Sequence, residues 1–170
     1  MSKLVIFCGI PGSGKTTLSD EVSKRVGIVC LHKDSVKEKF YESMKMSSLE
    51  DSKRIGKPSV DVILHLAEEQ IKNGIDIMIE APFNFKEEYD LFRKWEKMYG
   101  VDIYSVICSV EESIRNKRSL NRERHEAHHD SEREIISGNY DYSSIPGKKI
   151  NIETDKNLDE LVEIVLKNII

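Results

Sequence analysis

Residues 9–16 read Gly9-Ile10-Pro11-Gly12-Ser13-Gly14-Lys15-Thr16 and satisfy G-x-x-x-x-G-K-[ST] at every fixed position. These residue types suit a triphosphate. Glycines let successive backbone N–H groups converge on phosphate oxygens in conformations that a Cβ forbids. A helix opening at this point turns its positive end toward the same anion. Lys15 adds a movable ammonium for the β- and γ-phosphates. Thr16 offers a hydroxyl to magnesium, which keeps several waters and also touches the phosphates. Gly9, Pro11, Gly12, Ser13, Gly14, Lys15, Thr16 and Thr17 are therefore the expected nucleotide-binding residues. Three of the nine glycines fall in this octapeptide, more than a plain strand-to-helix turn needs.

Other residues suit the second half of a phosphoryl transfer. Asp34 follows a short apolar run and has two readings: the N-cap of the next helix, or a carboxylate that orients an acceptor hydroxyl and takes its proton. Lys37 stands one helical turn further on, either facing the same cleft or solvated. Glu80 ends a strand-like run, where it can hold magnesium through water, bind the acceptor, or cap the turn 81–84. Asn84 lies in that turn, and Phe83 and Phe85 beside it are candidate walls of the acceptor site. Arg115, Lys117, Arg118, Arg122 and Arg124 face a single acid, Glu123, within ten residues. In an acidic chain that is a local cationic field, able either to pair with nearby acids or to screen charge on a transferring phosphoryl group. Helical spacing sets Arg115, Arg118 and Arg122 on one face. Arg124 is placed to stack on adenine or touch a phosphate. His125, His128 and His129 have no cysteine nearby, and a polar mobile segment is preferred over a metal site.

The elements that must position these groups follow from periodicity. Residues 3–8 read as a buried strand, 16–26 as a helix stopped at Gly27, 28–31 as a second strand, and 34–44 as a helix capped by Asp34 or Ser35. Residues 47–57 are polar and carry no clear pattern. From Pro58, the stripe Val60, Ile63, Leu64, Ala67 and Ile71 predicts a helix ending at Gly74. Strands at 75–79 and 102–108 flank a helix at 85–99 whose stripe of Leu91, Trp95 and Met98 is packing surface. A basic helix over 111–124, a loop at 137–147 lining a base pocket, a strand at 149–152 and an apolar-striped helix at 158–169 complete the chain. Strands alternating with helices predict an α/β domain with a mainly parallel sheet.

Composition narrows the class. The chain has 170 residues, 39% hydrophobic and 33% charged, with net charge −4, which fits one domain spanning residues 1–170. Three cysteines without a C-x-x-C pair fit a reducing, cytoplasmic setting. No apolar run approaches the roughly 20 residues of a membrane helix, and the run 4–10 leads directly into the phosphate loop rather than forming a signal peptide. The acidic balance gives no general reason to expect nucleic-acid binding. Nothing in the sequence sets the oligomeric state.

The pattern of a GTPase switch is missing: no Asp stands three residues before a Gly, and Asn116-Lys117 is not followed by the base-reading Asp. Motor ATPases need a longer chain and paired acids at a strand end, where this sequence has Glu80 alone. The order of G-x-P-G-S-G-K-T, then Lys33-Asp34, then Glu80 with Asn84, then the arginine-rich segment, resembles a family of small P-loop kinases. Polynucleotide 5′-hydroxyl kinase domains, zeta toxins and chloramphenicol phosphotransferase belong to it. The resemblance covers nearly the whole chain. It implies a sheet of about five parallel strands in order 2-3-1-4-5, helices on both faces, and a lid over residues 115–135. It implies ATP and magnesium as cofactors and transfer of the γ-phosphoryl group to a hydroxyl, with Asp34 as base and Arg118 and Arg122 as lid arginines. Thr154-Asp155, by the same analogy, approaches the adenine. At the position of Lys37 polynucleotide kinase has Arg, so bidentate phosphate recognition is lost and a nucleic-acid acceptor is disfavoured. The expected partners are a nucleoside triphosphate and a hydroxyl-bearing small molecule or nucleotide-type acceptor. The rivals are a polynucleotide 5′-hydroxyl kinase and a nucleotide-binding regulator or slow ATPase.

Overall fold

The computed structural model describes residues 1–129 and 140–170. Five strands, β1 (Lys3–Cys8), β2 (Cys30–His32), β3 (Ile77–Glu80), β4 (Asp102–Ser109) and β5 (Lys148–Glu153), form one parallel sheet in the order β2-β3-β1-β4-β5. This is the expected P-loop order. β1 is central and buried on both faces, which is why its sequence runs apolar without alternation. Leu4, Ile6 and Cys8 pack on one side with helices α4 (Gly56–Lys72) and α5 (Lys86–Tyr99). Val5 and Phe7 pack on the other with α1 (Lys15–Val26) and α7 (Leu158–Ile169). Trp95 is core, as its helical spacing predicts.

Tertiary context moves several boundaries. β2 starts at Cys30 rather than 28, because the carbonyl of Ile28 accepts from Ser23 Oγ at 2.6 Å and closes the turn after α1. β3 starts at Ile77 rather than 75. The Ile75 amide bonds back to Gln70 to finish α4, and Asp76 Oδ1 takes the Lys3 amide at 2.7 Å. Neither Asp34 nor Ser35 caps α2 (Lys33–Ser43): the N-cap is His32, and Asp34 sits inside the first turn. The polar stretch 47–57 holds a short helix, α3 (Leu49–Arg54), fixed by a Ser48–Asp51 capping box. α4 then begins at once, with Pro58 in its first turn.

The largest correction concerns the basic helix. α6 (Glu112–Leu120) ends with Asn121 as C-cap, so Arg122 and Arg124 lie beyond it and do not share a helical face with Arg115 and Arg118. The chain is drawn out of the helix by tertiary contacts. Ala127 is buried against Tyr41 and Ile55, and Ser52 Oγ donates to the Ala127 carbonyl at 2.6 Å. Residues 130–139, which include the end of the expected lid and the start of the expected 137–147 loop, lie outside the described residues.

Candidate functional site

The carboxyl ends of the strands open onto a cleft of about 950 Å³. Such an edge is where ligands gather in open parallel sheets. The loop between β1 and α1 forms its floor. Gly9 has φ +150°, and a Cβ there would run into the Cys108 carbonyl and Ser13 Oγ, so the loop can pass this close to β4 only as glycine. Gly14 is the N-cap of α1 in the left-handed region, with no side chain capping the helix and no acid in its first turn. The helix therefore presents bare N–H groups and an uncompensated positive end to the cleft, the arrangement that binds phosphate.

Glu80 is the polar centre of the floor. Its side chain is only 4% exposed. Lys15 Nζ lies 3.7 Å from Glu80 Oε1, and Thr16 Oγ1 donates to Glu80 Oε2 at 3.3 Å. The β2–β3 register puts His32 directly opposite Glu80, with Nδ1 at 3.0 Å from Glu80 Oε2. His32 Nε2 lies 2.9 Å from Asp20 Oδ1. Burial opposes charge on this ring, but hydrogen bonds to Cys30 and Glu80 outweigh it and lift its pKa to about 10. Glu80 thus serves the phosphate loop and does not cap the turn 81–84. Its carboxylate and the Thr16 hydroxyl are hard oxygen donors beside the expected phosphates. They suit magnesium, which is bound by one or two carboxylates plus phosphates rather than by a protein cage. Among the described residues no group of three or more His, Cys, Asp or Glu forms such a cage.

Asp34 lines the same cleft. Its Oδ1 lies 3.2 Å from Lys33 Nζ and its Oδ2 accepts from Arg124 Nη2 at 3.0 Å. Burial pushes its pKa up, yet the charges of Lys33, His128 and Arg124 prevail and hold the carboxyl well below the usual carboxylate range.

The opposite wall is α6 packed onto the phosphate loop. Arg115 crosses Gly12, where a Cβ would stand 2.8 Å from Arg115 Cγ. Arg118 donates from Nη1 to Thr154 Oγ1 at 3.0 Å and from Nη2 to the Thr154 carbonyl at 2.6 Å. Thr154 Oγ1 in turn donates to the Ser13 carbonyl. One threonine after β5 thereby ties an arginine of α6 to the phosphate loop.

A family model for the AAA domain matches residues 4–137. The chain belongs to the AAA domain family. No curated protein sequence matches it. Among solved structures, this AAA domain is similar to a protein from Chloroflexus aurantiacus described only provisionally as a kinase: TM-score 0.80, 19% identity, 98% of this chain and 95% of that one. An APS kinase from Mycobacterium tuberculosis, in complex with AMPPNP and APS, gives TM-score 0.63 at 20% identity, over 98% and 96% of the two chains. A gluconokinase from Sinorhizobium meliloti gives TM-score 0.57 at 14% identity, over 99% and 91%. At these identities the likeness is one of fold.

Within the AAA domain the structure gathers most of the expected residues and sets others apart. Pro11, Gly12, Gly14, Lys15, Thr16, Thr17, Asp34, Glu80, Arg118, Arg122 and Arg124 all line the cleft. Gly9 and Ser13 shape the loop from beneath. Lys37 does not line the cleft: it is 1% exposed, and its charge acts on His128. Asn84 is half-buried and also off the cleft, although Pro82 lines it. Phe83 belongs to the core, 5.5 Å edge-to-face from Phe92, and Phe85 points outward at 61% exposure, so neither walls an acceptor site. Arg124 pairs with Asp34 across the cleft lining. The described part of the 137–147 loop is also off the cleft, with Tyr142 bonded to the Pro82 carbonyl and Ile145 in the core.

The histidines dock the segment after α6 onto α2. His125 Nε2 lies 3.2 Å from Glu42 Oε1, His128 Nε2 lies 2.7 Å from Glu38 Oε1, and His129 Nε2 lies 2.8 Å from the Tyr41 hydroxyl. Sequence reasoning missed His32 and Asp20. The available signal was a histidine at the carboxyl end of an expected strand, two residues before Asp34.

Proposed function

We propose that this AAA domain is an ATP- and magnesium-dependent kinase that moves the γ-phosphoryl group to a hydroxyl of a small-molecule or nucleotide-type acceptor. The observation that carries the reading is the Asp34 carboxylate in the same cleft as Gly14, Lys15 and Glu80. A phosphate cradle alone binds nucleotide; an aspartate across from it gives a second substrate somewhere to place its hydroxyl. The APS kinase and gluconokinase of the same fold lend this support by analogy.

In this reading the loop amides and Lys15 hold the triphosphate, and the nucleotide contacts come from Gly9, Pro11, Gly12, Ser13, Gly14, Thr16 and Thr17. Thr16 and Glu80 hold magnesium, which neutralises phosphate charge when bound. Asp34 orients the acceptor hydroxyl. As the acceptor oxygen forms its bond to the γ-phosphorus, the bond to the bridging oxygen of ADP breaks, and the hydroxyl proton passes to Asp34. Arg118 and Arg122 face the cleft on the nucleotide side, Arg122 from the part of the 115–135 lid within the described residues. Residues 1–170 act as one kinase domain. No helix among the described residues is long and apolar enough to cross a membrane. The three cysteines stand free, which supports a reducing, cytoplasmic setting.

The test is γ-labelled ATP with magnesium and separate pools of sugars, sugar acids, nucleosides, nucleotides, aminoglycosides and 5′-hydroxyl oligonucleotides. Label in one pool, abolished by Asp34→Ala, establishes the kinase and its acceptor class. Label in the oligonucleotide pool alone selects the polynucleotide kinase. Free phosphate as sole product, unchanged by Asp34→Ala, selects the slow ATPase or regulator.

A further inference from the structure

His32 stands between two carboxylates at the floor of the cleft, and the reading above assigns it no task. Its two nitrogens meet Glu80 Oε2 at 3.0 Å and Asp20 Oδ1 at 2.9 Å. An imidazole has a donor for each of two carboxylates only when it carries both protons. The ring side chain is 13% exposed, Glu80 4%, and Asp20 52%, so the line of contacts runs from solvent inward to the phosphate loop. The backbone fixes its inner end, because β2 and β3 pair His32 with Glu80 and the chain turns into α2 immediately afterward.

Glu80 needs such a partner. Its Oε2 accepts from both Thr16 Oγ1 and His32, while its Oε1 faces Lys15. The His32 ring restricts the rotation of the carboxylate, since one oxygen is held between Thr16 and His32 and the other is left toward the cleft. Carboxylates that receive a metal are commonly oriented by such a hydrogen-bonded partner.

We propose that His32, backed by Asp20, is a positioning residue that fixes the orientation of Glu80 and turns it toward the metal–triphosphate. This rests on Glu80 being the carboxylate that faces magnesium. The pair at its outer end is half-exposed and contributes orientation more than energy.

The test measures binding rather than turnover, using a fluorescent ATP analogue titrated with chelator and with saturating magnesium. His32→Ala is expected to leave metal-free affinity unchanged and to lower the magnesium-dependent gain by about tenfold or more. His32→Gln, which keeps one donor toward Glu80, recovers part of that gain. The double variant His32→Ala/Glu80→Gln loses no more than Glu80→Gln alone, because both act through one carboxylate. Where His32→Ala does not fold, Asp20→Asn gives a smaller loss in the same direction. A full magnesium gain in His32→Ala while Glu80→Gln has lost it overturns the positioning role, as do additive losses in the double variant. A full gain in Glu80→Gln instead refutes the metal-facing reading of Glu80 and the proposal with it. Label transfer by the wild type is scored separately, so the kinase reading survives or falls on its own assay.

Discussion

Arg124 Nη2 lies 3.0 Å from Asp34 Oδ2, joining residues ninety apart in sequence within the cleft. With Lys33 on the other oxygen, both oxygens of the carboxylate are engaged, so an acceptor hydroxyl that binds Asp34 shares an oxygen with one of these cations or displaces it. Asp34→Asn preserves the shape and removes the proton acceptor. The rate of label transfer is expected to fall by roughly 10²–10⁴-fold. ATP affinity, set by the loop across the cleft, is expected to stay unchanged in the same preparation. Loss of both together points to a folding defect and not to a base.

The same contacts make a statement about stability against pH. The folded Asp34 carboxyl titrates below its ordinary range, although burial works against this, because Lys33, His128 and Arg124 surround it. A depressed folded pKa contributes stability that is fully present above the unfolded value of about 3.9 and is lost as pH falls through the folded one. Urea midpoints of wild type and Asp34→Asn should therefore differ by a constant amount between neutral pH and about 5, and the gap should narrow progressively as pH falls below about 4. A gap that closes nearer neutrality assigns the stabilisation to another group.

Lys15 is buried against Glu80 and is the one charged side chain of residues 9–16. Lys15→Ala is expected to weaken ATP by about 10–100-fold, the equivalent of a lost charged hydrogen bond of about 1.5–3 kcal/mol. It also leaves Glu80 with His32 as its remaining ion-pair contact among the described residues. Calorimetric titration with ATP, alongside thermal unfolding of the apoprotein, measures both effects.

Much of this was legible in the sequence, for identifiable reasons. β1 and the phosphate loop follow from an apolar run and a fixed glycine spacing, both local. The strand order follows from alternating strands and helices together with the family resemblance. The site residues contributed from afar were harder. Lys37 lies one turn from Asp34, yet it is buried in the packing around α2, with its charge acting on His128. Arg122 and Arg124 continue a helical spacing, yet burial of Ala127 against Tyr41 and Ile55 ends the helix at Leu120. Phe83 sits beside Glu80 in sequence, and its positive φ of 42° turns it into the core. His32 gains its meaning only from the strand register that sets it opposite Glu80. Each miss is a long-range contact that outweighed a local pattern.

Two glycines with positive φ separate strain from fit. Gly27 ends α1 at φ +71°, and a Cβ there meets nothing within 4 Å. Gly9, at φ +150°, would meet the Cys108 backbone carbonyl, which cannot step aside without moving β4. Gly27→Ala is expected to cost about 1 kcal/mol in urea unfolding, the penalty of the left-handed region alone. Gly9→Ala is expected to cost more than that and to weaken ATP as well, because relief of the clash moves the phosphate loop. Equal losses at the two sites remove the argument that close approach to β4 shapes the cradle.

Arg118 and Arg122 separate in the same manner, by what each already touches. Arg118 is committed to Thr154 through two hydrogen bonds, and Thr154 to the Ser13 carbonyl, so its work is done before the reaction starts. It holds α6 and the loop after β5 against the phosphate loop. Removing an interaction present equally in ground and transition states raises KM and spares kcat. Arg118→Ala is therefore expected to raise KM for ATP by about tenfold with little change in kcat. Arg122 lies past the end of α6 in the cleft wall, where a guanidinium can reach charge that develops only during transfer. Arg122→Ala is expected to lower kcat, by up to about 10³-fold if it acts as an arginine finger, with KM for ATP little altered. Steady-state kinetics on the acceptor found by label transfer decide the matter. A kcat effect at Arg118 with none at Arg122 would transfer the transition-state role to the arginine nearer the phosphate loop.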